Sequence, residues 1–141
     1  MAGRVVHYMV AADDVGAMAT FYGEVFGWRV APRAMTSVDA DVSGTYTYVE
    51  AEDGGIAGGF TPSDDVGKRG VVLVVEVDDL EETIERAERL GVRRGRPHGV
   101  PERMEMTGAD GSVASFDLDG FDDPEGNLVY VVSSARVVST G

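Results

Sequence analysis

Apolar residues run in two periods along this chain, and the switch from one to the other occurs twice. From Val5 the sequence reads VVHYMV, β-branched and apolar residues around one histidine, which predicts a short buried strand. After Ala11 the spacing changes. Val15, Met18, Tyr22, Val25 and Phe26 recur at three and four residues and so share one face of a helix of about three turns. Asp13 or Asp14 can cap its start, and Gly27 can end it in the left-handed conformation that glycine adopts cheaply. Gly16 is its weak point, since glycine near a helix start costs ~1 kcal/mol relative to alanine.

From Val71 the same grammar returns as VVLVVEVDDLEETIERAERLGV: a β-branched strand, a double aspartate, an amphipathic helix and a glycine. Leu80, Ile84, Ala87 and Leu90 predict the buried stripe, and Asp79 with Glu82 has capping-box spacing. Glu82/Arg86 and Glu85/Arg89 are favourably oriented pairs four residues apart. Asp13 and Asp14 fall on Asp78 and Asp79, and Gly27 on Gly91. The order of signals reads as two copies of one unit.

The remaining segments fill in that unit. RVAPRAM after Trp28 predicts a second strand, with Pro32 at an edge or a bulge, and residues 36–44 a polar turn. TYTYVEA at 45–51 alternates, placing Tyr46, Tyr48 and Glu50 on one face, an arrangement suited to a partly wet concavity. EDGG then signals a hairpin into the strand IAGGF, where Gly58 and Gly59 allow close approach of a backbone or a ligand. Residues 61–70 read as a linker. In the second copy, strands are expected at 71–77, 92–96, 112–118 and 128–133, with a helix at 80–90. Met104 and Met106 of the short MEM segment point to one side if extended, and GFDDPEGN makes a tight turn. Each copy is thus βαβββ, its first parallel step crossing over through the helix. The expected fold is α+β: one domain over 1–141, with module 1 at about 4–60 and module 2 at about 71–134.

Composition narrows the chemistry. The 141 residues, 43% of them hydrophobic, suffice for one core. No cysteine is present, which removes disulfides, thiolate ligands and a cysteine nucleophile. A formal charge of −13, with Lys68 the single lysine among 12 basic residues, argues against nucleic acid as a partner. No apolar run approaches the ~18 residues of a membrane span, and the N-terminus lacks the basic and apolar regions of a signal peptide. The expectation is a cytoplasmic protein with no membrane partner.

His7, the double aspartate and FYGEVFGW at 21–28, together with GGIAGGF at 54–60 and DPEGN at 123–127, resemble the glyoxalase, bleomycin-resistance and extradiol-dioxygenase superfamily, the vicinal oxygen chelate proteins. The resemblance spans about residues 4–134. It implies paired βαβββ modules whose sheets curl round a cleft, often completed in a homodimer, so a homodimer is expected. It also implies, for the enzymes of the family, a divalent metal held by His and Glu side chains from strands of both modules. His7 matches the first of these positions. The second falls at Val72, or at Leu73 if the register slips, the third near Ala57 or Gly58 and the last near Tyr130. One of four positions keeps a ligand, whereas a Zn²⁺, Fe²⁺ or Mn²⁺ site needs at least three convergent donors. His98, the other histidine, lies in a loop between prolines.

The expectation is therefore a small-molecule-binding member with no metal cofactor, its cleft taking a mostly apolar or aromatic ligand. His7, Tyr46, Tyr48, Glu50, Met104, Phe116 and Tyr130 are the candidate contacts. The alternative is a metal-dependent lyase, isomerase or dioxygenase with a rearranged ligand set, for instance His7, Glu50 and Tyr130; whether the chain catalyses anything is left open by its residues. Against these stand ordinary structural roles: Asp123–Asn127 as a turn, Phe21, Tyr22 and Phe26 as helix face and hence core, and Trp28 as packing at the helix exit.

Overall fold

A computed structural model of the chain describes residues 2–38, 42–52, 54–63, 70–94 and 102–140. Its first unit runs β1 (Arg4–Ala12), α1 (Val15–Phe26), β2 (Val30–Ser37), β3 (Val42–Val49) and β4 (Ala57–Pro62). The second runs β5 (Val71–Glu76), α2 (Leu80–Arg89), β6 (Glu102–Thr107), β7 (Val113–Asp122) and β8 (Leu128–Val132), followed by β9 (Arg136–Ser139). Both units are βαβββ. β4 carries on through Thr61 and Pro62, so module 1 extends slightly into the expected linker, of which 64–69 and Lys68 lie outside the described residues.

The helices begin where the aspartates predict. Asp14 accepts from the Ala17 amide at 2.9 Å and Asp79 from the Glu82 amide at 3.0 Å, each satisfying an amide with no partner inside its helix. Gly27 takes the left-handed conformation at φ 70°, and its N–H donates to the Gly23 carbonyl. In the second unit Leu90 is the cap residue and Gly91 follows at φ 98°. Leu90 is 80% exposed and leaves the stripe, because it lies beyond the last turn; Leu80 and Ile84 carry the burial. Arg86 bonds Glu82 as the spacing predicts, whereas Arg89 also reaches Glu82, at 3.2 Å, in place of Glu85.

The modules join edge to edge. In each, the first strand runs parallel to the last, β1 with β4 and β5 with β8. β1 and β5 pair antiparallel at the junction, which relates the modules by an approximate two-fold. At the far edges β6 pairs with both β2 and β7, so the order β2–β3–β4–β1–β5–β8–β7–β6 returns on itself as an eight-stranded barrel, with β9 added alongside β7. Pro32 sits on the stretch of β2 that β6 does not reach, where its missing N–H costs nothing.

One expected strand moves and one strand is added. The segment 92–96 contributes only a bridge between Arg94 and Phe121, with 95–101 outside the described residues, and β6 takes its place in the module. The reason is local: RRGRP carries three cations, glycine and proline, whereas ERMEMT alternates and can turn both methionines to one side. β9 has no counterpart in the sequence reading.

Both helices lie on the outer wall. α1 packs Val15, Met18, Ala19 and Tyr22 over Val10, Val49 and Phe60, and Trp28 closes the helix exit by stacking on Tyr22 at 5.2 Å. Phe21 and Phe26, expected in the core, are 56% and 60% exposed. They flank the stripe that meets the sheet, and Phe26 instead leans on Tyr22 and Trp28. α2 packs Leu80 and Ile84 over Val131, with Val77 and Phe121 beside them.

Candidate functional site

Strand alternation sends every second side chain inward, and in an eight-stranded barrel the interior is either filled by those side chains or left with room for one small ligand. Here it is open: a cavity of about 1050 Å³ lies inside the barrel. The vacancy follows from small inward residues, among them Ser37, Gly44 and Ala57. Residues of both modules line the cavity.

Its polar side belongs to module 1. His7 on β1 and Tyr46 and Tyr48 on β3 face inward together, with ring centroids 5.8 Å from His7 to each tyrosine. The His7 Nε2 and the Tyr46 hydroxyl are 2.9 Å apart, one donating and the other accepting according to the imidazole tautomer. Burial lowers His7 to about 4, so the ring is neutral at pH 7. Burial, with the neighbouring Tyr48 and Tyr8 hydroxyls, raises Tyr46 well above the usual phenol range. The pair is an uncharged donor–acceptor couple.

The two glycines of β4 make this possible. A Cβ at Gly59 would overlap the Tyr46 ring and hydroxyl inside the barrel, and one at Gly58 would overlap the Tyr8 ring outside it. The close approach that these glycines permit is therefore taken by tyrosines on both faces of one strand.

Module 2 supplies the apolar side, with Val74, Met104, Met106, Phe116, Leu118 and Val132. Met104 and Phe116 are directly opposite one another across β6 and β7. Tyr130 of β8 also lines the cavity. Of the candidate contacts, His7, Tyr46, Tyr48, Met104, Phe116 and Tyr130 all face this space.

Glu50 does not. It shares the inward face of β3 but lies beyond the cavity wall, where Arg33 of β2 binds its carboxylate and lays its guanidinium over the Tyr48 ring at 5.1 Å. Reading β3 alone could not reveal that β2 would bring a cation to the same spot. Two other glutamates line the cavity instead. Glu76, at the end of β5, is bonded by Arg4 at 3.0 Å, and Glu102, at the start of β6, accepts from the Ser37 hydroxyl. Glu76 was accessible to the alternation rule, being in phase with Val72 and Val74. Ser37 and Glu102 meet only because the barrel closes.

The register also places the metal positions that the resemblance implies. Ala57 pairs with His7, His7 with Val74, and Val74 with Tyr130, so the four form one row across four adjacent strands. On β5 the residue beside His7 is Val74, while Val72 lies beside Met9 and Leu73 beside Tyr8. His7 stands seven residues before its cap Asp14 and Val74 only five before Asp79 (14 − 7 and 79 − 74), a two-residue difference that alignment on the caps hides. Leu73 points to the outer surface. A methyl, an imidazole, an isopropyl group and a phenol do not make the three or more donors a divalent ion requires. Among the described residues no group of three His, Asp or Glu side chains is arranged to hold one. The residues of the row do not fit the metal of the family's enzymes, and His98 lies outside the described residues.

The family model for the glyoxalase-like domain matches residues 7–132, nearly the whole barrel. The chain belongs to this family. A glyoxylase-like domain-containing protein from Didymella fabae is 29% identical over 92 residues, covering 63% of this chain and 69% of that one. Among solved structures, a hypothetical protein from Bacillus halodurans C-125 superposes with a TM-score of 0.60 at 15% identity, covering 96% of this chain and 97% of its own. Methylmalonyl-CoA epimerase from Mycobacterium tuberculosis superposes with a TM-score of 0.57 at 18% identity, covering 94% and 88%. At these identities the glyoxalase-like chain shares their fold, and its site must be argued from its own residues. Among the described residues no helix is long and apolar enough to cross a membrane.

Proposed function

We propose that this glyoxalase-like protein binds a small, mostly apolar or aromatic molecule inside its barrel, through its own side chains and without a metal. The observation that carries this reading is the cavity of about 1050 Å³ inside the barrel, lined by methionine, aromatic and aliphatic side chains around a few polar groups. That is the composition of small-molecule sites, with apolar walls supplying affinity and a few polar groups supplying orientation. The row Ala57–His7–Val74–Tyr130 supports the metal-free part, since two of its four members have no donor atom in the side chain.

Fluorescence titration with the uncharged dye N-phenyl-1-naphthylamine tests the reading. Saturable binding at one site per chain is expected, weakened when Met104→Trp crowds the apolar patch and unchanged by EDTA. Dye that fails to bind, or binding that Met104→Trp leaves intact, sinks the proposal; binding that requires an added divalent ion sinks its metal-free part.

A further inference from the structure

The cavity presents a hydrogen-bonding couple on one wall and an apolar patch on another, and the two together carry information about its occupant. On β1 and β3, His7 and Tyr46 hold hydrogen-bonding atoms 2.9 Å apart, and Gly59 lets the Tyr46 ring lie close against β4. On β6 and β7, Met104 and Phe116 are neighbours on one inward face and form an apolar patch, while Tyr130, Glu76 and Glu102 line the cavity elsewhere in module 2. Among the described residues the charged side chains that line the cavity are carboxylates, Glu76 and Glu102, and no lysine or arginine lines it.

We infer that the ligand is an uncharged aromatic compound with one oxygen function at one end, a phenol or an aryl ketone, held with its oxygen on the Tyr46 hydroxyl of the His7–Tyr46 couple and its ring against the patch of Met104 and Phe116. This rests on the reading of the cavity as a binding site and specifies what enters it. Three physical terms select that class. With His7 Nε2 engaged by the Tyr46 hydroxyl, that uncharged hydroxyl keeps one hydrogen-bonding role toward the cavity, so a ligand hydroxyl finds a partner there in either tautomer and a carbonyl when Nε2–H is the donor, while a carboxylate or phosphate would lose its hydration with no lining cation to replace it. A ligand lacking the oxygen leaves the remaining role of the Tyr46 hydroxyl facing apolar surface and loses its orientation. A ring laid on a thioether and a phenyl ring gains contacts that an aliphatic chain of equal volume does not.

The test uses four probes on one skeleton, 2-naphthol, naphthalene, 2-naphthoate and 2-naphthylmethylammonium, measured by displacement of N-phenyl-1-naphthylamine and by calorimetry. The expected order is 2-naphthol tighter than naphthalene by about fivefold, the value of one net hydrogen bond, with 2-naphthoate not measurably bound. Tyr46→Phe keeps the ring that packs on Gly59 and should bring 2-naphthol down to the level of naphthalene while leaving naphthalene unchanged. Equal binding of 2-naphthol and naphthalene to the wild-type chain overturns the inference, as does tightest binding of the naphthoate or of the ammonium, or an unchanged preference for 2-naphthol in a folded Tyr46→Phe protein. None of the four probes binding overturns the cavity reading itself, which separates the two failures.

Discussion

Module 1 holds its helix to the sheet through stacked rings, Tyr22 on Trp28 at 5.2 Å and on Phe60 at 5.4 Å, whereas module 2 does so through the aliphatic contact of Leu80 and Ile84 with Val131. Module 2 adds an ionic lock: Arg94 bonds Glu81 of α2 at 2.8 Å and reaches Asp119 of β7, a carboxylate with 0% exposure, at 3.2 Å. The same contrast continues inside the barrel with the polarity inverted. Module 1 contributes the His7–Tyr46 couple and module 2 the patch of Met104 and Phe116. Two copies of one backbone plan thus divide the labour, because an approximate two-fold dictates where side chains point and leaves their chemistry free. The row Ala57–His7–Val74–Tyr130 shows this directly, with methyl and imidazole on its module 1 half and isopropyl and phenol on its module 2 half.

The largest expected effect tests the outer contrast. Phe60→Ala should cost about 4 kcal/mol in denaturant unfolding and Ile84→Ala about 3, since truncating a buried ring leaves the larger cavity. Equal costs would mean that the aromatic stack contributes no more than the aliphatic contact. Arg94→Ala should cost about 3 kcal/mol, because it removes a cation held against the buried Asp119 carboxylate; a loss below about 0.5 would show that the lock is incidental.

The pH dependence of stability probes the polar half of the cavity. His7 titrates at about 4 in the folded chain and near its ordinary 6.5 when unfolded, so between those values the unfolded state binds the extra proton. Stability from this group is therefore intact above about pH 6.5 and falls as pH drops toward 4, by up to about 3 kcal/mol. His7→Gln should flatten that part of the acid limb, and an unaltered slope would place the titration elsewhere. Gly59→Ala should cost about 2 kcal/mol by forcing Tyr46 off β4, and should weaken 2-naphthol more than naphthalene. The smallest effect should be indifferent to module: Asp14→Ala and Asp79→Ala each remove one helix cap and should each cost about 1 kcal/mol. A large inequality between them would show that one helix depends on its cap and the other on packing.

Local signals were legible in the chain and long-range closure was not. The helix starts at Asp14 and Asp79, the Gly27 stop, the inward face shared by Tyr46 and Tyr48, and the doubling of βαβββ all follow from side-chain period and capping chemistry, which act over a few residues. Phe21, Phe26 and Leu90 fit the helical period yet stay exposed, because a helical stripe is wider than the surface that meets it. The strand at 102–107 is not marked locally, because it forms where β2 and β7 flank it.

By itself, then, the sequence determined the units, their helices, their turns and the residue types available to a cleft. Tertiary structure decided what those residues became. Pairing of β1 with β5 set the row that puts Val74, rather than Val72 or Leu73, beside His7. Closure through β6 brought Glu102 to Ser37 and Met104 opposite Phe116, and the approach of β2 to β3 bound Glu50 to Arg33 and removed it from the cavity. The reason is the same in each case. Strand alternation is encoded residue by residue, but register and neighbour are settled by contacts between segments far apart in the chain, and a shift of one residue would turn every side chain to the opposite face.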